Sequence, residues 1–194
     1  MFDYVFKRNI WDGHIYVKND TYYKKYNKNR IQKYILMKYF SEKHYWCPYI
    51  DYFIDNEDLY IGEKQIPYER VKNCFNIEMY ENIILPFIGN NIHQEYFLSN
   101  LDFNLTNMFI HQNKIYVCDI ENIGFYSKMF FIGFNYYWNY INLCNIIDEK
   151  YFEYLWITTL KLSRQYLNSC VSGFKSMMKI KTLTDEQLEN MYVR

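Results

Sequence analysis

Short runs rich in aromatic and β-branched residues fill the first part of the chain and are separated by polar residues. Such runs cover residues 2–7, 14–18 and 21–26, with turn-forming residues at 9–13 and 19–20 between them. Aromatic and β-branched side chains favour strands, whereas Asn, Asp and Gly favour tight turns. The pattern therefore predicts three short β-strands joined by turns.

A helical pattern follows these strands, and a second pair of strands comes after it. Apolar residues between positions 31 and 40 recur at helical spacing with Lys and Arg between them, which predicts a helix that Pro48 ends. Residues 49–53 and 59–63 then predict an antiparallel pair joined across the polar stretch 55–58.

The rest of the chain is predicted to be mainly helical, with one hairpin inside it. Residues 69–99 predict helix with a break near 86–91, because a proline and a glycine stand there. Residues 108–110 and 115–118 predict a second hairpin. Two further helices are predicted between residues 128 and 170.

The order of these elements predicts an α+β fold with a sheet-rich first part and a helical second part. Residues 1–66 would form a sheet-rich lobe that contains one helix, and residues 67–194 a helical lobe that contains the second hairpin. The length of 194 residues suits one domain or two small lobes that share a hinge.

Charge and cysteine content restrict the classes of function. The chain has 22 acidic and 22 basic residues, so no net charge favours nucleic acid or an anionic membrane as a partner. The five cysteines include no CxxC pair, which favours a reducing compartment such as the cytoplasm. The abundance of Tyr, Phe, Asn, Ile and Lys is typical of AT-rich coding, as in some viruses, phages and low-GC microbes. For a viral protein the compartment would be the host cytoplasm.

The most apolar stretch of the chain, residues 129–147, does not predict a membrane span. It contains four asparagines, which lipid would leave without hydrogen-bond partners; they are Asn135, Asn139, Asn142 and Asn145. The stretch instead predicts a buried helix rich in aromatic residues, and no transmembrane segment is expected.

Candidate chemistry is concentrated between residues 101 and 121. Asp102 precedes Asn107 by five residues, and Asp119 ends an apolar run beyond the predicted hairpin, which would fold it back toward Asn107. In phosphoryl transfer, one carboxylate orients the acceptor hydroxyl, while carboxylate and amide oxygens hold Mg²⁺ across the nucleotide phosphates.

This segment resembles the catalytic loop and metal-binding segment of the protein-kinase-like superfamily, and it is most similar to the aminoglycoside, choline and lipopolysaccharide kinase branches. The resemblance implies a two-lobed fold, ATP and Mg²⁺, with Asp102 as the catalytic base and Asn107 and Asp119 as metal ligands. Glu121 matches an acidic residue that these branches often carry there. It would bind a second ion or remain solvated.

The upstream segments resemble the nucleotide-binding half of the same superfamily. Residues 22–26 resemble the strand that presents a phosphate-binding lysine, and alternation allows only one of Lys24 and Lys25 to face the site. Lys24 is favoured. Residues 59–67 resemble the strand and hinge beside adenine, which implies hydrogen bonds to the base from backbone groups at Glu63, Lys64 and Gln65.

Three departures from the family pattern weaken the case for turnover. Gln32 stands where a glutamate usually pairs with the lysine, Asn100 stands where histidine is usual, and the predicted phosphate loop contains one glycine, Gly13. A neutral amide can accept a hydrogen bond from the lysine but provides no charge.

Three functional hypotheses remain open from the sequence. The first is an ATP- and Mg²⁺-dependent phosphotransferase that acts on a hydroxyl of a small molecule, a lipid head group or a protein. The second is a pseudokinase that binds a protein partner, with or without nucleotide. The third is a viral or phage accessory protein of another fold that acts through protein–protein contacts. The basic residues from Lys24 to Lys43 would then meet phosphate, RNA or an acidic partner.

Overall fold

The computed structural model describes residues 4–7 and 14–181, so the turn predicted at residues 9–13 lies outside the described residues. Two compact units share the chain. The first unit contains residues 4–7, 14–75 and 105–123, and the second contains residues 76–104 and 124–181. The lobes predicted from chain order, 1–66 and 67–194, stay a prediction.

Ten strands and seven α-helices are present in the described residues. The strands are β1 (Tyr4–Lys7), β2 (His14–Lys18), β3 (Thr21–Asn27), β4 (Ile50–Asp55), β5 (Asp58–Lys64), β6 (Glu69–Arg70), β7 (Tyr96–Asn100), β8 (Met108–His111), β9 (Lys114–Val117) and β10 (Ile123–Ser127). The helices are α1 (Ile31–Lys43), α2 (Val71–Cys74), α3 (Ile77–Met79), α4 (Leu85–Asn90), α5 (Lys128–Leu143), α6 (Glu149–Leu160) and α7 (Arg164–Lys181).

The main sheet of the first unit is antiparallel and has the strand order β1-β2-β3-β5-β4. Its tight turns contain non-glycine residues with positive φ, at Asn19, Asp20 and Asn56, which are residue types that tolerate this conformation. Helix α1 packs on the sheet through a buried apolar cluster. The members of this cluster are Met37, Ile50, Leu59, Ile61 and Ile120.

The second hairpin of the first unit has the predicted position. Strands β8 and β9 pair in register from Met108 opposite Val117 to His111 opposite Lys114. The two residues between the strands, Gln112 and Asn113, both have positive φ, as a two-residue hairpin turn of the I′ type requires. Strand β6 pairs with the outer side of β8 to give a small three-stranded sheet.

The second unit is mainly helical and contains the two-stranded sheet of β7 and β10. Gly133 on α5 lies against the backbone of Cys170 on α7 so closely that a Cβ atom there would collide with it. Glycine therefore allows α5 and α7 to approach each other. Trp156 of α6 is fully buried, and its indole N–H donates a hydrogen bond to the hydroxyl of Tyr80 at 2.9 Å.

Three local features of the second unit differ from the prediction. Residues 96–100 form a strand instead of helix, because they pair with β10, which is distant in sequence. Pro86 does not break the helix: α3 continues through a π-helical turn, Tyr80–Ile84, into α4, where the proline is in the first turn and its missing N–H is tolerated. Residues 128–181 form three helices where two were predicted up to residue 170.

Within the part of the chain that the structure describes, none of the helices combines the length and hydrophobicity that a membrane crossing requires. The expected buried, aromatic-rich helix between residues 129 and 147 corresponds to α5, in which Asn135 and Asn139 are buried.

Candidate active site

A pocket of about 820 Å³ in the first unit contains most of the residues that the sequence pointed to. Its walls come from β2, β3, the end of β5 with the segment after it, and the hairpin β8–β9. Among its lining residues are predicted site residues; these are Lys24, Glu63, Lys64, Gln65, Asn107 and Asp119. Ile15, Ile66 and Phe109 provide apolar wall beside these polar groups.

The β8–β9 hairpin places Asn107 and Asp119 at the same end of the pocket. Asn107 immediately precedes β8, and Cys118 immediately follows β9. The backbone N–H of Cys118 donates to the carbonyl of Asn107 at 2.9 Å, so the open end of the hairpin is tied together. The register of the hairpin therefore brings Asn107 and Asp119 to one pocket.

The side chain of Lys24, on strand β3, reaches the carboxylates at this end of the pocket. Its ammonium lies 2.5 Å from a carboxylate oxygen of Asp119 and 3.2 Å from one of Glu121. Burial alone would lower the pKa of Lys24, but the carboxylates of Asp119, Glu121 and Glu63 outweigh burial and raise this pKa. The lysine is therefore charged and neutralises part of a concentrated negative charge.

Lys25, the neighbour of Lys24, faces the other side of the strand. It forms an ion pair with Asp58 of β5 at 2.7 Å, and half of its side chain is exposed. Side chains of adjacent strand residues lie on opposite faces of a sheet. Lys24 is thus the lysine that faces the pocket.

Glu121 is held by Tyr26 as well as by Lys24. The Tyr26 hydroxyl donates to Glu121 Oε2 at 2.7 Å, and burial, followed by the charge of Glu121, raises the pKa of Tyr26. The ammonium of Lys33 lies 5.1 Å from the centre of the Tyr26 ring. Burial lowers the pKa of Lys33, while Glu121 opposes this change. Glu121 is consequently part of a charged network.

Helix α1 presents Lys33, and not Gln32, toward this network. Gln32, which the sequence placed beside Lys24, is exposed. A step of one residue turns a helix by about 100°, so neighbouring residues face different directions. Asp119 and Glu121 provide the carboxylates near Lys24.

Glu63 contributes its side chain to the site, where the sequence predicted only its backbone. Its two carboxylate oxygens accept hydrogen bonds from the backbone N–H groups of Asp119 at 2.7 Å and Ile120 at 2.9 Å. Burial raises the pKa of Glu63 to about 7, although Lys24 and the two N–H donors oppose this shift.

The backbone donors at Lys64 and Gln65 are already used within the fold. The N–H of Lys64 donates to the carbonyl of Tyr49 at 2.9 Å, and that of Gln65 donates to the carbonyl of Asp20 at 2.7 Å. These two N–H groups are therefore not the donors for adenine that the resemblance implied. Residues 64–68 also line the pocket.

Asp102 lies in the second unit on a loop that α5 holds rigidly. Asn135 accepts a hydrogen bond from the N–H of Phe103 at 3.0 Å and donates to the carbonyl of Leu101 at 2.9 Å. Asn139 donates to the carbonyl of Phe103 at 3.1 Å. Both neighbours of Asp102 are buried, while Asp102 is half-buried. The peptide groups on both sides of the predicted base are thus fixed.

Sequence reasoning missed several of these contributors. Asn135 and Asn139 are four residues apart in a mainly apolar helix, and this spacing places them on one face. Two amides on one face of a buried helix must find polar partners, so their spacing was a usable signal. No sequence signal distinguished Lys33 from its neighbours, and none indicated that the Glu63 side chain would bind the backbone of Asp119 and Ile120.

The donor chemistry of the pocket fits Mg²⁺. The described residues contain no group of three or more His, Cys, Asp or Glu side chains that could hold a metal ion. Mg²⁺ does not need such a cage, because it keeps several waters and takes a few hard oxygen ligands together with substrate phosphates. Asp119 and Asn107, which line the same pocket, provide oxygen ligands of this kind.

Comparison with known proteins defines the fold class. No protein-family model matches the sequence, and no curated protein sequence matches it. A solved amicoumacin kinase, in complex with AMP-PNP, Ca²⁺ and Ami, is similar with a TM-score of 0.57 and 11% identity over 89% of this chain and 72% of that chain. An aminoglycoside phosphotransferase from Streptomyces rimosus is similar with a TM-score of 0.60 and 7% identity. This similarity covers 87% of this chain and 92% of that chain.

These similarities show that the protein shares the α+β fold of these two proteins, as the sequence predicted.

Removing Lys24 is expected to destabilise the protein. Lys24→Ala leaves the partly buried carboxylates of Asp119 and Glu121 without their ammonium partner, and we expect the free energy of unfolding to fall by about 1–3 kcal/mol. Urea denaturation followed by circular dichroism measures this change. Lys25→Ala, which removes an exposed lysine from the same strand, is the matched control and should have little effect. Equal losses in both variants would contradict the assignment of Lys24 to the buried network.

Proposed function

We propose that the protein is an ATP- and Mg²⁺-dependent phosphotransferase that transfers a phosphoryl group to a hydroxyl acceptor. The observation that carries this proposal is the meeting of Lys24, Asn107 and Asp119 in a single pocket with an apolar wall. A binding site for a nucleoside triphosphate needs a cationic side chain for the phosphates, hard oxygen ligands for the metal ion and an apolar surface for the flat base.

Each residue of the pocket receives a role from its chemistry. Lys24 would contact the phosphates, and the apolar walls at Ile15, Ile66 and Phe109 would cover the base. Asn107 and Asp119 would hold Mg²⁺, which offsets phosphate charge when it is bound. The cytoplasm, which supplies ATP and keeps thiols reduced, is the compartment that this proposal favours.

Asp102 would act on the acceptor. Its carboxylate would accept a hydrogen bond from the acceptor hydroxyl and take the proton as the hydroxyl oxygen attacks the γ-phosphorus. A new bond forms between that oxygen and phosphorus, the bond from phosphorus to the β–γ bridging oxygen breaks, and ADP leaves. A small molecule, a lipid head group and a protein hydroxyl all fit this chemistry as acceptors.

A pseudokinase that binds nucleotide or a protein partner without turnover is the second candidate. The observation that favours it is the direct pairing of Asp119 with Lys24, because an ammonium already neutralises the proposed metal ligand. Mg²⁺ and a triphosphate would have to compete with this ion pair.

Thermal unfolding with and without ATP and Mg²⁺ tests the binding part of the proposal. A ligand that binds only the folded state stabilises it, so we expect a saturable rise in Tm of about 5–10 °C at about 100 times Kd. The rise should require Mg²⁺ and should be lost in Asp119→Ala, which removes a metal ligand.

Asp58→Ala is the matched control for Asp119→Ala. Asp58 also pairs with a lysine of β3, but it lies outside the pocket, so the control should retain the shift. Absence of a saturable shift in the unmodified protein, or an equal shift in Asp119→Ala, would contradict the proposal.

A further inference from the structure

The backbone of Asp119 is in the left-handed region, with φ of 60° and ψ of 49°. For a residue with a side chain this conformation costs on the order of 1 kcal/mol or more, and the surrounding structure must impose it. Other described residues with positive φ lie in two-residue strand turns or at a helix end; these are Asn19, Asp20, Asn56, Gln112, Asn113 and Lys161. Asp119 is in a different setting, between a strand and a short 3₁₀ turn that lines the core.

The hydrogen bonds from Glu63 explain how this conformation is held. The left-handed residue turns two successive N–H groups, those of Asp119 and Ile120, in the same direction. Glu63 accepts one of these bonds with each of its carboxylate oxygens, so the carboxylate spans both peptide groups. Bonds of an ionised acceptor to N–H donors are stronger than neutral ones.

We infer that Glu63 is a positioning residue that fixes the left-handed turn at Asp119 and thereby directs the Asp119 carboxylate toward Asn107 and the bound cation. This inference rests on the proposed function. Glu63 itself would not touch the metal, because both of its oxygens bind the backbone. The resemblance implied only a backbone role for Glu63 in the hinge beside adenine, whereas its side chain would act at Asp119.

The requirement for two acceptors makes the inference specific for glutamate. Glutamine at position 63 has the same length but only one acceptor oxygen, so it would present an NH₂ group to one of the two N–H donors. Glu63→Gln therefore removes one bond and sets two donors against each other. Groups behind metal ligands commonly change metal affinity by about 10–100-fold when they are altered.

The first measurement is ligand-free amide hydrogen exchange of the peptide that contains residues 118–121. Both N–H groups donate to Glu63 in the unmodified protein, and we expect their exchange to be at least about tenfold faster in Glu63→Gln. Glu57→Gln is the matched control, because Glu57 is an exposed glutamate in the turn between β4 and β5 that pairs with Lys28. It should leave exchange at these residues unchanged. Unchanged exchange in Glu63→Gln would overturn the inference regardless of nucleotide binding.

The second measurement is ATP binding, by calorimetric titration, as a function of Mg²⁺ concentration. We expect Glu63→Gln to need about 10–100-fold more Mg²⁺ for half-maximal ATP binding, while the Mg²⁺-independent affinity for ATP changes little. Faster exchange with an unchanged Mg²⁺ requirement would overturn the positioning role. Failure of the unmodified protein to bind ATP at any Mg²⁺ concentration would overturn the proposed function and the role toward the cation with it. The exchange result would then still decide whether Glu63 holds the turn.

Discussion

Replacing Asp102 with asparagine is expected to lower phosphoryl transfer by about 10²–10⁴-fold while ATP binding persists. The substitution keeps the size of the side chain and its capacity for hydrogen bonds, but it removes the group that would take the acceptor proton. The expected loss therefore concerns turnover. Release of phosphate from γ-labelled ATP and autophosphorylation both measure it, and the Mg²⁺-dependent rise in Tm with ATP should remain.

Asp148→Asn is the matched control for Asp102→Asn. Asp148 is the N-cap of α6 in the same unit and accepts hydrogen bonds from the N–H groups of Lys150 and Tyr151. Asparagine caps helices about as well as aspartate, so this variant should retain turnover and stability. Two outcomes would refute the proposed role of Asp102: unchanged turnover in Asp102→Asn, or an equal loss in both variants. A protein that binds Mg²⁺–ATP without turnover in any form would support the pseudokinase.

The second large effect is expected from Asn135→Ala. Asn135 is almost fully buried, and its removal leaves the N–H of Phe103 and the carbonyl of Leu101 without the partner that α5 provides. A buried polar group that loses its partner costs about 1–3 kcal/mol, so we expect a combined loss of about 2–5 kcal/mol in the free energy of unfolding. Urea denaturation with an unchanged slope measures it.

Asn135→Ala should also affect the loop that carries Asp102. Because both neighbouring peptide groups lose a fixed partner, turnover per folded molecule should fall by more than ATP affinity does. Asn142→Ala is the matched control, since Asn142 is an exposed asparagine of the same helix that bonds the half-buried loop residue Asn104. Little change is expected there. An equal loss in the free energy of unfolding in both variants would mean that the buried hydrogen bonds to the loop stabilise the protein no more than the exposed one does.

Local patterns determined the secondary structure well where the partners are close in sequence. The β8–β9 hairpin, the β4–β5 pair and the turn at Asn19–Asp20 agree with the prediction, because strand residues and turn residues alternate over a few positions. Strand β7 was missed because its partner, β10, begins more than twenty residues after β7 ends, and no local pattern encodes such a pairing.

The sequence could not define which face of α1 meets the site. Apolar residues are spread around this helix, and two of them, Ile35 and Tyr39, are more than half exposed. Without one clear apolar stripe, periodicity does not fix the rotation of a helix. The resemblance to the family pattern selected Gln32, whereas the structure presents Lys33 to Tyr26.

The sequence by itself determined the α+β class, the hairpin that joins Asn107 to Asp119, and the residue types on which a phosphotransferase proposal can be based. All of these depend on neighbours within about twelve residues. Tertiary structure decided the partners of Lys24, the network around Glu121 and the use of Glu63 as an acceptor for the Asp119 backbone. These contacts join residues 56 to 97 positions apart. The packing of the strands and helix of the first unit, which no local preference encodes, brings them together.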